Sequence, residues 1–88
     1  MPYYFYILQS QSDGSYYLGQ TSDLEDRLNR HNEGRSRYTR ARRPWRLVYS
    51  EEYAARAEAM RREREVKGKR SRTFIESLTR TFDTTLNG

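Results

Sequence analysis

Eighty-eight residues, 34% hydrophobic and 33% charged, make one domain with a thin core, so any functional site lies on the surface of that single unit. The absence of cysteine excludes a disulfide framework or a cysteine-ligated zinc site, and no apolar run approaches the roughly 20 residues of a membrane-spanning helix. Seventeen Lys and Arg against twelve Asp and Glu leave a net charge of +5, which favours a polyanionic partner and makes the placement of the basic residues decisive.

Tyr3 to Leu8 is a dense run of aromatic and β-branched residues, and Ser15 to Gly19 is a second. The polar stretch Ser10 to Gly14 separates them, which predicts a β-hairpin turning at Asp13-Gly14. With a loop of about four to six residues, Tyr6 and Tyr17 fall close to opposite one another on neighbouring strands. Ser22 followed by Glu25 reads as a capping box, and Leu24 with Leu28 supplies the apolar pair of a helix that ends near Asn32, before Gly34.

From Gly34 to Pro44 the chain has hardly an apolar side chain and carries Arg35, Arg37, Arg40, Arg42 and Arg43, which makes it a basic loop. Trp45 to Tyr49 restores a strand pattern. Ala54 to Lys67 consists of strong helix formers and predicts a second helix, stopped by Gly68. Ser71 caps a third helix with the buried stripe Phe74, Ile75, Leu78 and Phe82, and residues 83–88 are expected to form a flexible tail. The order β-β-α-β-α-α predicts an α/β sandwich over residues 1–82, with a three-stranded antiparallel sheet flanked by about three helices.

Within the second helix, Ala55, Ala59, Met60 and Val66 define an apolar arc, and Glu63 falls inside it. An inward carboxylate must be paired, hydrogen-bonded or metal-bound, so spacing leaves open a structural ion pair, with Arg56 as the candidate partner, and a cation site. Arg27 and His31 share one face of the first helix at the border of its apolar stripe, whereas Arg30 suits ordinary surface duty. Tyr6 and Tyr17 read, by the usual rule, as core aromatics. As a proton acceptor a tyrosine starts from a pKa of about 10 and needs a nearby cation. Five arginines within nine residues, with Tyr38 and Trp45 close by, suit phosphate pairing and base stacking better than a core.

These positions together carry a resemblance. Tyr4-Phe5-Tyr6, ten intervening residues, Tyr17-Leu18-Gly19, then Arg27, His31 and Glu63 in an AMRRE context make the chain similar to the GIY-YIG nuclease superfamily, and especially to its short single-domain bacterial members. The stretch YTRARRPWRLVYSEEY resembles their central segment. Tyr4 stands where the first motif has glycine, and Leu18 where the second has isoleucine. The resemblance implies that Glu63 binds a single Mg²⁺ or Mn²⁺ and that Tyr6 accepts the proton of an attacking water. It further implies that Tyr17 orders the site, Arg27 neutralises transition-state charge, and His31 positions the water or relays its proton.

The expected activity is therefore metal-dependent endonucleolytic cleavage of nucleic acid, with DNA as the expected substrate. The competing expectation is a binding module of little turnover that acts with a partner. A basic loop of this size gives weak, salt-sensitive binding. Structure-specific or partner-assisted cutting is thus expected over site-specific cleavage, with a homodimer as one way to make paired cuts. The start of the chain lacks a signal-peptide pattern, and a cytoplasmic location is expected.

Overall fold

The computed structural model describes residues 1–87. Strand β1 (Tyr3–Ser10) lies at the centre of an antiparallel sheet, between β2 (Tyr16–Thr21) and β3 (Trp45–Tyr53). Helix α1 (Leu24–Asn32) follows β2, and a short 3₁₀ turn, Arg40–Arg42, precedes β3. Helices α2 (Arg56–Lys69) and α3 (Arg72–Asn87) complete the chain, in the predicted order. Gly88, the end of the expected tail, lies outside the described residues.

A strand covered on both faces needs a continuous apolar run, and Phe5, Tyr6, Ile7 and Leu8 are all buried. Phe5 and Ile7 pack with Leu18, Val48 and Val66 beneath α2 and α3, where Phe74, Ile75 and Leu78 close the cluster as their spacing predicts. Tyr6 and Leu8 point to the other face and meet Trp45, Tyr17, Leu24, Leu28 and Leu47. The alternating side-chain direction of β1 thus splits a small core into two layers. On β3 the register slips between the partners of Ile7 and Leu8, which pair with Tyr49 and Leu47. The bulged Val48 lets Val48 and Tyr49 serve one layer while Trp45 and Leu47 serve the other.

The hairpin turns at Gly14, whose φ of 79° is left-handed. Tyr6 pairs with Gly19 and Tyr17 with Leu8, so the two motif tyrosines lie diagonally on one face with ring centroids 6.4 Å apart.

Three local expectations are corrected. The N-cap of α1 is Asp23, one residue after Ser22: its Oδ1 accepts from the Asp26 N–H at 3.0 Å, while Thr21 Oγ1 takes the Asp23 N–H. Gly68 does not stop α2: it has no left-handed φ, and the helix ends instead at Arg70, which is in the left-handed conformation. Met60 is 39% exposed, so the apolar arc of α2 reduces to Ala59 and Val66. Ser71 does cap α3, its Oγ accepting from the Phe74 N–H at 3.1 Å.

A charged network fastens α2 to β3. Arg62 donates to both oxygens of Glu51, which also accepts from the Tyr49 and Tyr53 hydroxyls. Burial works against the Glu51 charge, but these donors outweigh it and hold its carboxyl below the usual range.

Candidate active-site cleft

A cleft of about 260 Å³ opens between α1 and the arginine-rich loop, lined by Tyr17, Arg27, Arg30, His31, Arg35 and Ser36. Four residues along α1 bring Arg27 and His31 to one face, and the tyrosines of the sheet meet them there. The Tyr17 and His31 rings lie 4.8 Å apart, and the Tyr6 hydroxyl is 3.4 Å from His31 Nε2. Arg30 is exposed, as expected of a surface residue, and also lines the same cleft.

Arg27 carries the clearest chemical signal of the site. Its Nε is buried and has no hydrogen-bond partner, alone in this among the side-chain atoms of the described residues. An orphaned buried donor costs on the order of 1–3 kcal/mol. Arg27 lines the cleft beside Arg30 and Arg35, and the Nε–H buried behind that wall has no acceptor among the described residues.

His31 is 3% exposed and is gripped from two sides. Nδ1 lies 2.7 Å from Thr39 Oγ1, opposite the Tyr6 contact at Nε2. Burial, with Arg27 and Arg30 nearby, pushes the imidazole below its ordinary 6.5, so the ring is neutral at neutral pH. Burial pushes the Tyr6 phenol well above 10, Tyr17 and Glu63 push it further, and Arg27 and Arg30 oppose them. The Glu63 carboxylate therefore lies within electrostatic reach of the Tyr6 oxygen, although Glu63 is no part of the cleft lining.

Glu63 is half-buried, as its place on α2 predicts, but its ion-pair partner is not Arg56. Lys67 Nζ reaches Glu63 Oε2 at 2.6 Å from one turn along the helix, with the lysine side chain 54% exposed. Arg56 instead donates to Gln20 Oε1 at 2.8 Å and covers the Tyr3 ring. At Gly19, a Cβ would lie 2.6 Å from the Tyr6 hydroxyl, so the absence of a side chain there is what admits the phenol.

The basic loop is exposed at Arg35, Arg37, Arg40, Arg42 and Arg43. Arg35 pairs with Glu33, Arg42 lies 3.5 Å from Asp13, and Arg43 Nε donates to the Arg40 carbonyl. Tyr38 stands 86% exposed among these guanidiniums, available to stack on a base. Trp45 is not available: it is 3% exposed, and its Nε1–H donates to the Thr39 carbonyl at 2.9 Å. Asn32 anchors the end of the loop by bonding both backbone groups of Trp45. Thr39 itself, 1% exposed in a loop of exposed arginines, was missed by reasoning from sequence. Its only sequence signal is a β-branched hydroxyl residue at the centre of a charged run.

Fold and cleft define a class of protein: a small α/β domain whose strand tyrosines and helical arginine and histidine converge beside a basic loop. The family description GIY-YIG catalytic domain matches residues 2–76, and the chain belongs to that family, whose domains are of nuclease type and bind nucleic acid. A UPF0213 protein of Streptococcus agalactiae is 50% identical over 64 residues, covering 72% of each chain. A UPF0213 protein of Streptococcus pneumoniae is 42% identical over 84 residues, covering 94% of this chain and 84% of the relative. The solution NMR structure of a UPF0213 protein from Bacillus halodurans superposes with a TM-score of 0.58 at 43% identity, covering 92% of this chain and 85% of that one. Among the described residues, no helix is long and apolar enough to cross a membrane.

Proposed function

We propose that this chain is a divalent-metal-dependent endonuclease that hydrolyses phosphodiester bonds in DNA. Tyr6, Tyr17, Arg27, His31 and Glu63 form its catalytic set, and Arg35, Arg37, Arg40, Arg42 and Arg43 hold the nucleic-acid backbone. The observation that carries this reading is the orphaned Nε of Arg27 in the wall of a cleft it shares with Tyr17 and His31. A phosphate oxygen seated in the cleft is an acceptor for the Arg27 guanidinium that lines it, and a guanidinium placed there neutralises charge that grows in the transition state.

The residues fit a hard cation held through substrate. Glu63 offers one half-buried carboxylate, and no group of three or more His, Asp or Glu side chains able to cage an ion occurs among the described residues. Mg²⁺ or Mn²⁺ suits this donor set, since such ions are held by one or two carboxylates with phosphate and water completing the shell. When bound, the ion would polarise the phosphate and stabilise the leaving oxygen.

The protein's own part is positional and electrostatic. Tyr6, as phenolate, takes the proton of the attacking water. Burial and Glu63 both oppose that form, so neutralising the Glu63 charge favours it, as Arg27 and Arg30 already do. Tyr17 closes the wall beside His31. The exposed arginines and Tyr38 present a surface for phosphates and an unstacked base.

One observation favours a second reading, a binding module of little turnover: the Lys67 ammonium satisfies Glu63 without any metal. Nicking of supercoiled plasmid and branched DNA, with Mg²⁺, Mn²⁺ or EDTA, separates the two. The nuclease reading expects Glu63→Ala to lose nicking yet keep DNA affinity in EDTA. DNA binding by wild-type protein with no metal-dependent product would establish the second reading instead.

A further inference from the structure

We infer that Arg30 is a further phosphate-binding residue, which with Arg27 forms a two-guanidinium clamp on α1 for one phosphate of the bound strand. The inference deepens the reading of this cleft as the seat of a nucleic-acid phosphate, and rests on it. Arg30 belongs to neither the motif positions nor the arginine-rich loop. Helical spacing nevertheless brings Arg27, Arg30 and His31 to one face, and all three line the cleft.

Charge accounting gives the clamp its ligand. The cleft lining holds three guanidiniums and no carboxylate. Arg35 is already matched, by Glu33 at 2.8 Å. Arg27 and Arg30 have no ion-pair partner among the described residues, so two like charges stand one helical turn apart in a single concave wall. Such a pair is unfavourable until an anion lies against it. A second observation places the Arg30 charge near the reacting groups and not only at the rim. It favours the phenolate at Tyr6 and disfavours the imidazolium at His31, so both groups lie within its electrostatic reach. An anion drawn to the pair is therefore held beside Tyr6. Phosphate oxygens accept the paired N–H bonds that a planar guanidinium offers.

The two arginines divide the work by burial. Arg27 is half-buried with a buried Nε, so it is held in place before substrate arrives. Arg30 is exposed and settles on phosphate as substrate binds, so its contact serves ground state and transition state alike. Arg30 also lies in the last turn of α1, where a cation complements the helix dipole. That role acts on stability and gives no affinity for DNA.

The test compares Arg30→Met with Arg61→Met, which removes the same charge from α2, at a separate pocket beside Glu51 and Glu58. Anisotropy of labelled branched DNA in EDTA at stepped salt reads binding without turnover. Arg30→Met should weaken binding about three- to fivefold at low salt and reduce the slope of log K against log [salt] by about 0.7–0.9, one phosphate contact. Arg61→Met should leave the slope unchanged. In nicking assays Arg30→Met should raise KM by the same factor and leave kcat nearly unchanged. The sole histidine gives a second readout. His31 faces Arg27 and Arg30 along α1, Tyr6 and Tyr17 from the sheet, and Thr39 and Arg35 from the loop. Inorganic phosphate seated against the guanidiniums should raise the His31 pKa followed by NMR, and Arg30→Met should diminish that rise severalfold at the same phosphate concentration. An Arg30→Met protein that matches Arg61→Met in slope and affinity overturns the inference. So does a lowered Tm with DNA binding intact, the result expected of the helix-dipole role alone. A wild type that binds DNA without nicking it would sink the nuclease reading and leave the clamp standing.

Discussion

Gly19→Ala tests whether the second motif exists to seat the phenol of the first. Tyr6 and Gly19 are paired across β1 and β2, and a Cβ at position 19 would lie 2.6 Å from the Tyr6 oxygen, 2.8 Å from Cζ and 3.1 Å from Cε2. The ring has no room to yield, being 1% exposed and packed against Leu8 and Trp45. Gly19 has no left-handed φ, so backbone strain plays no part. By propensity alone the change should stabilise a strand by about 0.5–1 kcal/mol. Overpacking opposes it by about 1–3 kcal/mol, and the clash should win. At about 4–8 °C per kcal/mol for a domain of this size, a net loss of about 1 kcal/mol lowers Tm by roughly that interval. Urea unfolding of the wild type, Gly19→Ala, Tyr6→Phe and the double variant closes a cycle. Removing the hydroxyl relieves the nearest contact but leaves Cζ in place, so a favourable coupling of about 0.5–1 kcal/mol is expected. A Gly19→Ala protein as stable as the wild type, or a cycle with no coupling, would refute the account.

Arg27→Met keeps the length of the side chain and removes the orphaned Nε, so stability should hold or rise by about 1 kcal/mol. The barrier to nicking should rise by about 3–4 kcal/mol, read in single-turnover assays; a parallel loss of stability would show that Arg27 serves the fold. His31 predicts a pH dependence of stability. Its folded pKa lies below the ordinary 6.5, so below that pH the unfolded chain takes up a proton that the folded chain refuses. Stability is then full above pH 6.5 and falls over the first pH unit below it, by at most about 1.4 kcal/mol. Urea melts at stepped pH should lose this slope in His31→Gln.

What the sequence made legible was local. The hairpin at Gly14, the face shared by Arg27 and His31, the apolar stripe of α3 and the exposure of the arginines all follow from spacing and turn chemistry. What stayed hidden depended on partners set by the tertiary fold. Asp23 rather than Ser22 caps α1, because the backbone direction leaving β2 decides which side chain faces the Asp26 N–H. Trp45 looked like a stacking residue beside the arginines, yet β3 turns it inward to bond Thr39. The same inward turn of the loop conceals Thr39, whose bonds to the His31 ring and the Trp45 indole follow no helical or strand periodicity. Gly68 had the composition of a stop and none of its geometry, since the left-handed turn that ends α2 falls at Arg70 and the helix runs on to Lys69.

The ion pair at Glu63 competes with the cation proposed there, and its magnitude is small. A Glu and Lys four residues apart on a helix stabilise it by only about 0.2–0.5 kcal/mol, less as salt screens them. The Lys67 side chain is more than half exposed, so its ammonium regains water freely on leaving. Glu63, by contrast, is mostly covered and stands within electrostatic reach of the Tyr6 oxygen. A divalent ion that also gathers phosphate oxygens has far more to offer this carboxylate than a monovalent ammonium on a flexible stem. The lysine thus leaves Glu63 open to the cation that the proposed mechanism assigns to it, since a weak, solvent-facing ion pair costs little to break.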